Sequence, residues 1–316
     1  MKWRNTRRSS NVEDHRGRSG GGAGGPFGGL GGGLGGGGMG GGRIPRIPMG
    51  RGGGGLVGIV VLVLIAWAMG LNPLQLLGLE TSTSTTSGLN NTGTNAGPRA
   101  DDELADFAAH VLGDTEDMWK EIFAARGTAY RAPVMRLYEG GTESGCGFAQ
   151  SAVGPFYCPA DTRVYIDLSF FRDLAQRYGA AGDFAQAYVI AHEVAHHVQN
   201  LIGVMDQVAR ARAQMSEREA NALSVKVELQ ADCFAGVWAF HAERKGLLEM
   251  GDVNEAIAAA EAVGDDRLQR AATGTVQPDS FTHGTSAQRA QWFMTGYRGG
   301  NMNACDTFGG GALTLR

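Results

Sequence analysis

Ala191-His-Glu-Val-Ala-His-His197 is the stretch on which the reading of this chain turns, because it spells H-E-x-x-H within a segment of helical character. On a helix, residues i and i+4 stack on one face about 6 Å apart along the axis. His192 and His196 therefore aim two imidazoles at one small volume, and Glu193 is carried to its side. Such a set offers Zn²⁺ two neutral nitrogen ligands and places a carboxylate near the water that the metal activates. His197 is turned about 100° from His196 and is expected to be a bystander.

Working outward, Asp183 is the expected N-cap of a helix over Phe184–Ile202, with Gly203 as its stop. A second long helix is predicted over Glu217–Lys245, where Leu223, Val227, Phe234 and Trp238 recur at spacings of three and four. It carries Glu228-Leu-Gln-Ala-Asp232, which puts Glu228 and Asp232 on one face. Two histidines do not hold a catalytic zinc; a third protein ligand is needed, with the fourth position left to water. Glu228 is the candidate ligand, and a solvated helix position is the alternative for it. Asp232 is the candidate acceptor for the ring N–H of His192, fixing its tautomer. Two neutral imidazoles and one carboxylate leave such a site with one net positive charge. Zinc there lowers the pKa of its water from ~15.7 toward ~7 and polarises a carbonyl. Glu193 is the candidate general base. His283, in Phe281-Thr-His-Gly-Thr-Ser-Ala-Gln-Arg289, is the candidate donor to a tetrahedral oxyanion, with Arg289 supporting it. A structural histidine is the alternative for His283.

Composition divides the chain. Residues 1–55 are dominated by glycine and cannot bury enough apolar surface to offset ordering, so a disordered arm is expected. The arm holds nine basic and two acidic residues, or +7, which leaves −11 of the total −4 for the remainder. That balance argues against nucleic acid as a partner. Residues 56–78 are apolar, with no charge between Gly52 and Leu79, and are expected to form one transmembrane anchor of about 20 residues. A cleaved signal peptide is the rival reading, but the basic region before it is too long for a signal n-region. The positive-inside rule then gives a single-pass protein of the cytoplasmic membrane, its N-terminus cytoplasmic and its domain periplasmic or extracytoplasmic. Residues 79–100 read as a flexible Ser/Thr-rich linker, and 101–316 as the folded domain.

Within that domain a helix is expected over Asp102–Ala125, broken at Gly113, and strands over Pro133–Tyr138 and Val164–Leu168. Further helices are expected over Ser169–Tyr178, Asn254–Ala272 and Ser286–Tyr297. The fold class is α+β, mostly helical, with a small sheet beside the active-site helix. An extended substrate could add to an edge of that sheet, at Val164–Leu168. All four cysteines fall in the domain, and three connectivities are possible. The favoured pairing is Cys146 with Cys158 and Cys233 with Cys305; four free thiols are the alternative.

The runs Cys146–Asp161, Val164–Leu168, Ala191–Gln199 and Glu228–Gly236 closely resemble the bacterial neutral zinc metallopeptidase family, whose members are membrane-anchored. More distantly, H-E-x-x-H followed by E-x-x-A-D is similar to the gluzincin peptidases. The resemblance implies a zincin-like domain, a Glu ligand at Glu228, and a counterpart of the H-P-x-x-x-x-R segment at His283–Arg289, where Gly284 replaces the proline. The function it implies is a membrane-anchored zinc peptidase, an endopeptidase acting on peptides or unfolded proteins. The rival is a non-catalytic zinc-binding scaffold that recruits a partner at the membrane. Glu193 separates the two, since a scaffold has no use for a carboxylate beside the metal water. Oligomeric state is left open.

Overall fold

The computed structural model describes residues 1–17 and 102–310. The described chain is mostly helical. Helix α1 (Asp102–Ala125) is followed by strands β2 (Val134–Tyr138), β3 (Gly141–Ser144), β4 (Gly147–Gln150), β5 (Phe156–Cys158) and β6 (Arg163–Asp167). Then come α2 (Ser169–Gln176), α3 (Asp183–Leu201), α4 (Val204–Arg212), α5 (Glu217–Arg244), α6 (Asp252–Ala262), α7 (Asp265–Thr273) and α8 (Ser286–Gly299). A 3-10 turn, Met302–Cys305, closes the described chain.

The sheet is completed from an unexpected source. Strand β1 is Val12–Asp14, inside the Gly/Arg arm, and it pairs parallel with β2, Val12 opposite Met135. The order is β1-β2-β6-β5, with β2 parallel to β6 and β5 antiparallel to it. Strands β3 and β4 form a separate hairpin. Val164–Leu168 is therefore no edge: β6 lies between β2 and β5, and the edge beside it is β5.

The first 17 residues are ordered rather than a disordered tail. Met1 and Trp3 are buried in the main core, and the Met1 amine lies 2.7 Å from both carboxylate oxygens of Asp183. The Ser9 amide donates to the Ala109 carbonyl at 2.9 Å, and Arg7 pairs with Glu116 at 2.6 Å and Asp117 at 2.9 Å. Helix α1 accordingly runs through Gly113 without the break its sequence predicts. A side chain at Gly113 would put a Cβ 2.1 Å from the Arg7 carbonyl oxygen. The glycine admits the arm rather than ending the helix.

These observations correct the predicted topology. Among the described residues no helix is long and apolar enough to cross a membrane; the anchor expected at 56–78, the linker at 79–100 and the rest of the arm lie outside the described residues. One crossing between residues 17 and 102 would put β1 and β2 on opposite faces of a bilayer, yet they share a ladder. The single-pass arrangement and the localisation built on it do not stand.

The long helices start where side chains satisfy their first amides. Ser216 caps α5 in a reciprocal box with Glu219, and Thr285 caps α8 with Gln288. At the start of α3 the Phe184 amide donates to Glu255 at 3.0 Å. The helix predicted over Asn254–Ala272 is two, α6 and α7, divided at Val263–Gly264. Helices α5 and α8 cross through Gly236 and Gly296, where a Cβ would come 2.0 Å from the Phe293 oxygen and 1.8 Å from the Cys233 oxygen. That approach sets the distance between Asp232 and Arg289. The structure joins Cys146 to Cys158, and Cys233 to Cys305.

Candidate functional site

Helices α3 and α5 bring His192, His196 and Glu228 together, one ligand atom from each lying within 4.8 Å of the others. His192 Nε2 is 3.2 Å from Glu228 Oε2, and His196 Nε2 is 3.5 Å from Glu228 Oε1. A tetrahedral zinc with bonds of about 2.0–2.1 Å separates its ligand atoms by about 3.3 Å, so the spacing fits that ion. The two rings stand at 89° with centroids 4.8 Å apart. Both Nδ1 atoms are engaged elsewhere, which leaves the Nε2 atoms facing Glu228.

His192 Nδ1 lies 2.8 Å from Asp232 Oδ1. Asp232 is fully buried and also accepts from the Tyr188 hydroxyl. Arg289 clamps it from α8, Nε to Oδ2 and Nη2 to Oδ1, each at 2.9 Å. This corrects the expectation for Arg289: it supports Asp232 rather than His283. Burial opposes ionisation of Asp232, but Arg289 and then His192 hold its carboxyl below the usual range. His196 Nδ1 meets Gln199 Oε1 at 2.8 Å.

The site favours positive charge. Burial works against a charged His192 ring, yet Asp232 and Glu228 outweigh it and push its pKa up to about 10. Burial likewise raises Glu228, but the imidazoles of His196 and His192 hold it well below the carboxylate range. One carboxylate, Glu228, facing the Nε2 atoms of two imidazoles forms a donor set suited to a divalent cation. Glu193 is buried without a cationic side chain of its own; burial lifts its pKa, with His192 and His196 opposing. A carboxylate raised in this way takes up a proton more readily than an ordinary one.

His283 sits on the loop before α8, half exposed, within electrostatic reach of Glu228. Its holder is Asp265, at the start of α7. Asp265 Oδ2 accepts the backbone amides of Thr282, His283 and Gly284 at 2.7, 2.6 and 3.1 Å, and Oδ1 lies 3.1 Å from His283 Nδ1. Burial disfavours the charged ring, but Asp265 and Glu228 raise its pKa. With Nδ1–H turned to Asp265, Nε2 is the atom left for a substrate.

His197 turns away from the cluster. It is buried, its Nε2–H donating to the Arg131 carbonyl at 2.6 Å and its Nδ1 accepting from the Tyr157 hydroxyl at 3.1 Å. Asn200 donates to the same hydroxyl at 3.0 Å, so α3 grips the edge strand β5. Sequence reasoning gave Tyr188, Gln199 and Asp265 no part in the site. Tyr188 and Gln199 could have been found from their helical offsets, one turn before His192 and one after His196. Asp265 left no local signal, because its partners are 17 to 19 residues away.

Two imidazoles and a carboxylate on paired helices, with a glutamate beside the first histidine, make a candidate metal centre of the H-E-x-x-H type. The chain belongs to the family described as "Putative neutral zinc metallopeptidase", whose model matches residues 1–308. It is 45% identical over 309 residues to a protein of Escherichia coli K12 described as uncharacterized protein YpfJ, covering 98% of this chain and 99% of that one. It is 46% identical over 210 residues to uncharacterized protein Rv2575 of Mycobacterium tuberculosis, covering 63% of this chain and 69% of that one. No solved structure matches.

Proposed function

We propose that this chain is a zinc-dependent peptidase, with His192, His196 and Glu228 as metal ligands and Glu193 as general base. The observation that carries the reading is the convergence of those three ligand atoms within 4.8 Å, with Glu193 on the same helix as the two imidazoles. Zinc, when bound, supplies an acidified water and a polarised substrate carbonyl.

The protein's own groups do the rest. Glu193 takes a proton from the attacking water and returns it to the leaving amine. His283, held through Nδ1–H by Asp265, donates in its cationic form from Nε2–H to the oxyanion as charge develops there. Asp232 keeps His192 in the tautomer that leaves Nε2 free. The substrate is a peptide or unfolded protein. Cleavage within the chain, endopeptidase action, is the form of the activity we propose.

The test is metal analysis and digestion of a peptide library by the full chain and by Glu193→Gln. One zinc per chain is expected in both, with internal cleavage by the parent and a loss of about 10²–10⁴-fold in the variant. Equal cleavage by both proteins would remove Glu193 from the mechanism. Zinc without cleavage in either would favour the scaffold reading.

A further inference from the structure

We propose that Gln199 is a positioning residue for His196, its amide held in one direction by a relay that ends on the backbone of the disulfide-tied C-terminal turn. The proposal rests on the reading of His196 as a metal ligand.

The relay is fixed from its far end. Gln230 and Gln199 are both buried on facing helices, at 1% and 0% exposure, so solvent is not there to exchange their partners. The Gln230 Nε2 lies 3.1 Å from the Cys305 carbonyl oxygen, a group that only accepts. Gln230 must therefore turn its NH₂ to Cys305 and its Oε1 to Gln199. The Gln199 Nε2 lies 3.1 Å from that oxygen and 2.8 Å from the Val227 carbonyl. Both are acceptors, and they use both hydrogens of the amide. The Gln199 Oε1 is then the only atom left to face His196 Nδ1, at 2.8 Å. An amide oxygen cannot donate, so Nδ1 carries a proton, and the neutral ring keeps its lone pair on Nε2, the atom that faces Glu228.

This solves a problem that His192 does not have. Asp232 is accept-only when ionised, and whichever way it turns it calls for a proton on Nδ1. An amide has a donating and an accepting end. Reversed, Gln199 would present NH₂ to Nδ1 and draw the ring proton to Nε2, the atom needed for the metal. The carbonyls of Val227 and Cys305 forbid the reversal. Cys305 is itself fixed, fully buried in the Met302–Cys305 turn and bonded to Cys233 of α5. The Cys305 carbonyl thus fixes which end of the Gln199 amide faces His196 on the active-site helix.

The experiment uses the full chain with Gln199→Met and Gln230→Met, which keep side-chain length and remove the hydrogen bonds. Zinc affinity is measured by chelator competition, and the His196 tautomer by nitrogen-detected imidazole spectra of the metal-free protein. Removing a partner that orients a ligand costs about 10–100-fold in metal affinity. That loss is expected for Gln199→Met, with the Nδ1–H tautomer no longer dominant, and a smaller loss in the same direction for Gln230→Met. Circular dichroism establishes that each variant is folded. If the parent binds one zinc and folded Gln199→Met binds it equally with an unchanged tautomer, the proposal is overturned and the metal site stands. If Gln199→Met does not fold, unchanged affinity and tautomer in Gln230→Met overturn the relay. A parent that binds no zinc overturns the site reading beneath both.

Discussion

Replacing Trp3 with alanine measures how firmly the beginning of the chain belongs to the domain. The indole is 7% exposed, stands edge-on to Phe107 at 5.6 Å and to His110 at 5.3 Å, and is covered by the Arg4 guanidinium 4.1 Å from the ring centroid. A buried tryptophan removes roughly 200 Å² from water, which at about 25 cal/mol per Å² amounts to about 5 kcal/mol. Allowing for a denatured chain that is already partly compact takes off roughly a fifth. The remaining ~4 kcal/mol agrees with the 3–5 kcal/mol typical of Trp→Ala in a core. A domain of this size loses about 2–4 °C per kcal/mol, so the expected fall in melting temperature is about 12 °C. Urea denaturation of the full chain should show the same loss as a shifted midpoint with unchanged slope. A disordered arm would give no shift. A change below about 0.5 kcal/mol, the range of ordinary surface substitutions, would refute the packing of residues 1–17 on α1.

Two further outcomes follow from the site's supports. Arg289→Met leaves Asp232 fully buried without its cation, which costs about 3–5 kcal/mol; a neutral result by denaturant midpoint would mean the pair carries no weight. Burial opposes ionisation of Asp265, but His283 and the loop amides hold its carboxyl below its ordinary range. A carboxylate depressed in the folded state adds stability above its unfolded pKa and loses it as pH falls. Thermal melts between about pH 5 and 2 should therefore fall more steeply for the parent than for Asp265→Asn, and parallel curves would exclude the contribution.

What was legible in the sequence is what local periodicity determines. The 3.6-residue repeat places His192 with His196 and Glu228 with Asp232, whatever surrounds them. The meeting of the two pairs followed from ligand chemistry, since two imidazoles need a third donor. The missing parts are all long-range. Arg289 could be assigned to His283 from their shared segment, but the Gly236–Gly296 crossing delivers it to Asp232, 57 residues away. Gly113 carries the mark of a helix break and serves instead as a seat for Arg7. The arm has few apolar residues, and Trp3 and Val12 find their neighbours only on α1 and β2. A charge-based topology for residues 56–78 could not anticipate that the segment before them would join the same sheet as the segment after.

Glu13 on β1 meets Arg136 on β2 across 123 residues of chain. Strand β1 leaves the ribosome well before β2, and pairs only once β2 has been made. Until then β2 keeps an open flank, and closing so large a loop makes docking slow relative to the helical contacts around it. That flank of the sheet closes across 123 residues of chain, so the start of the domain is secured by a contact that no local segment can form.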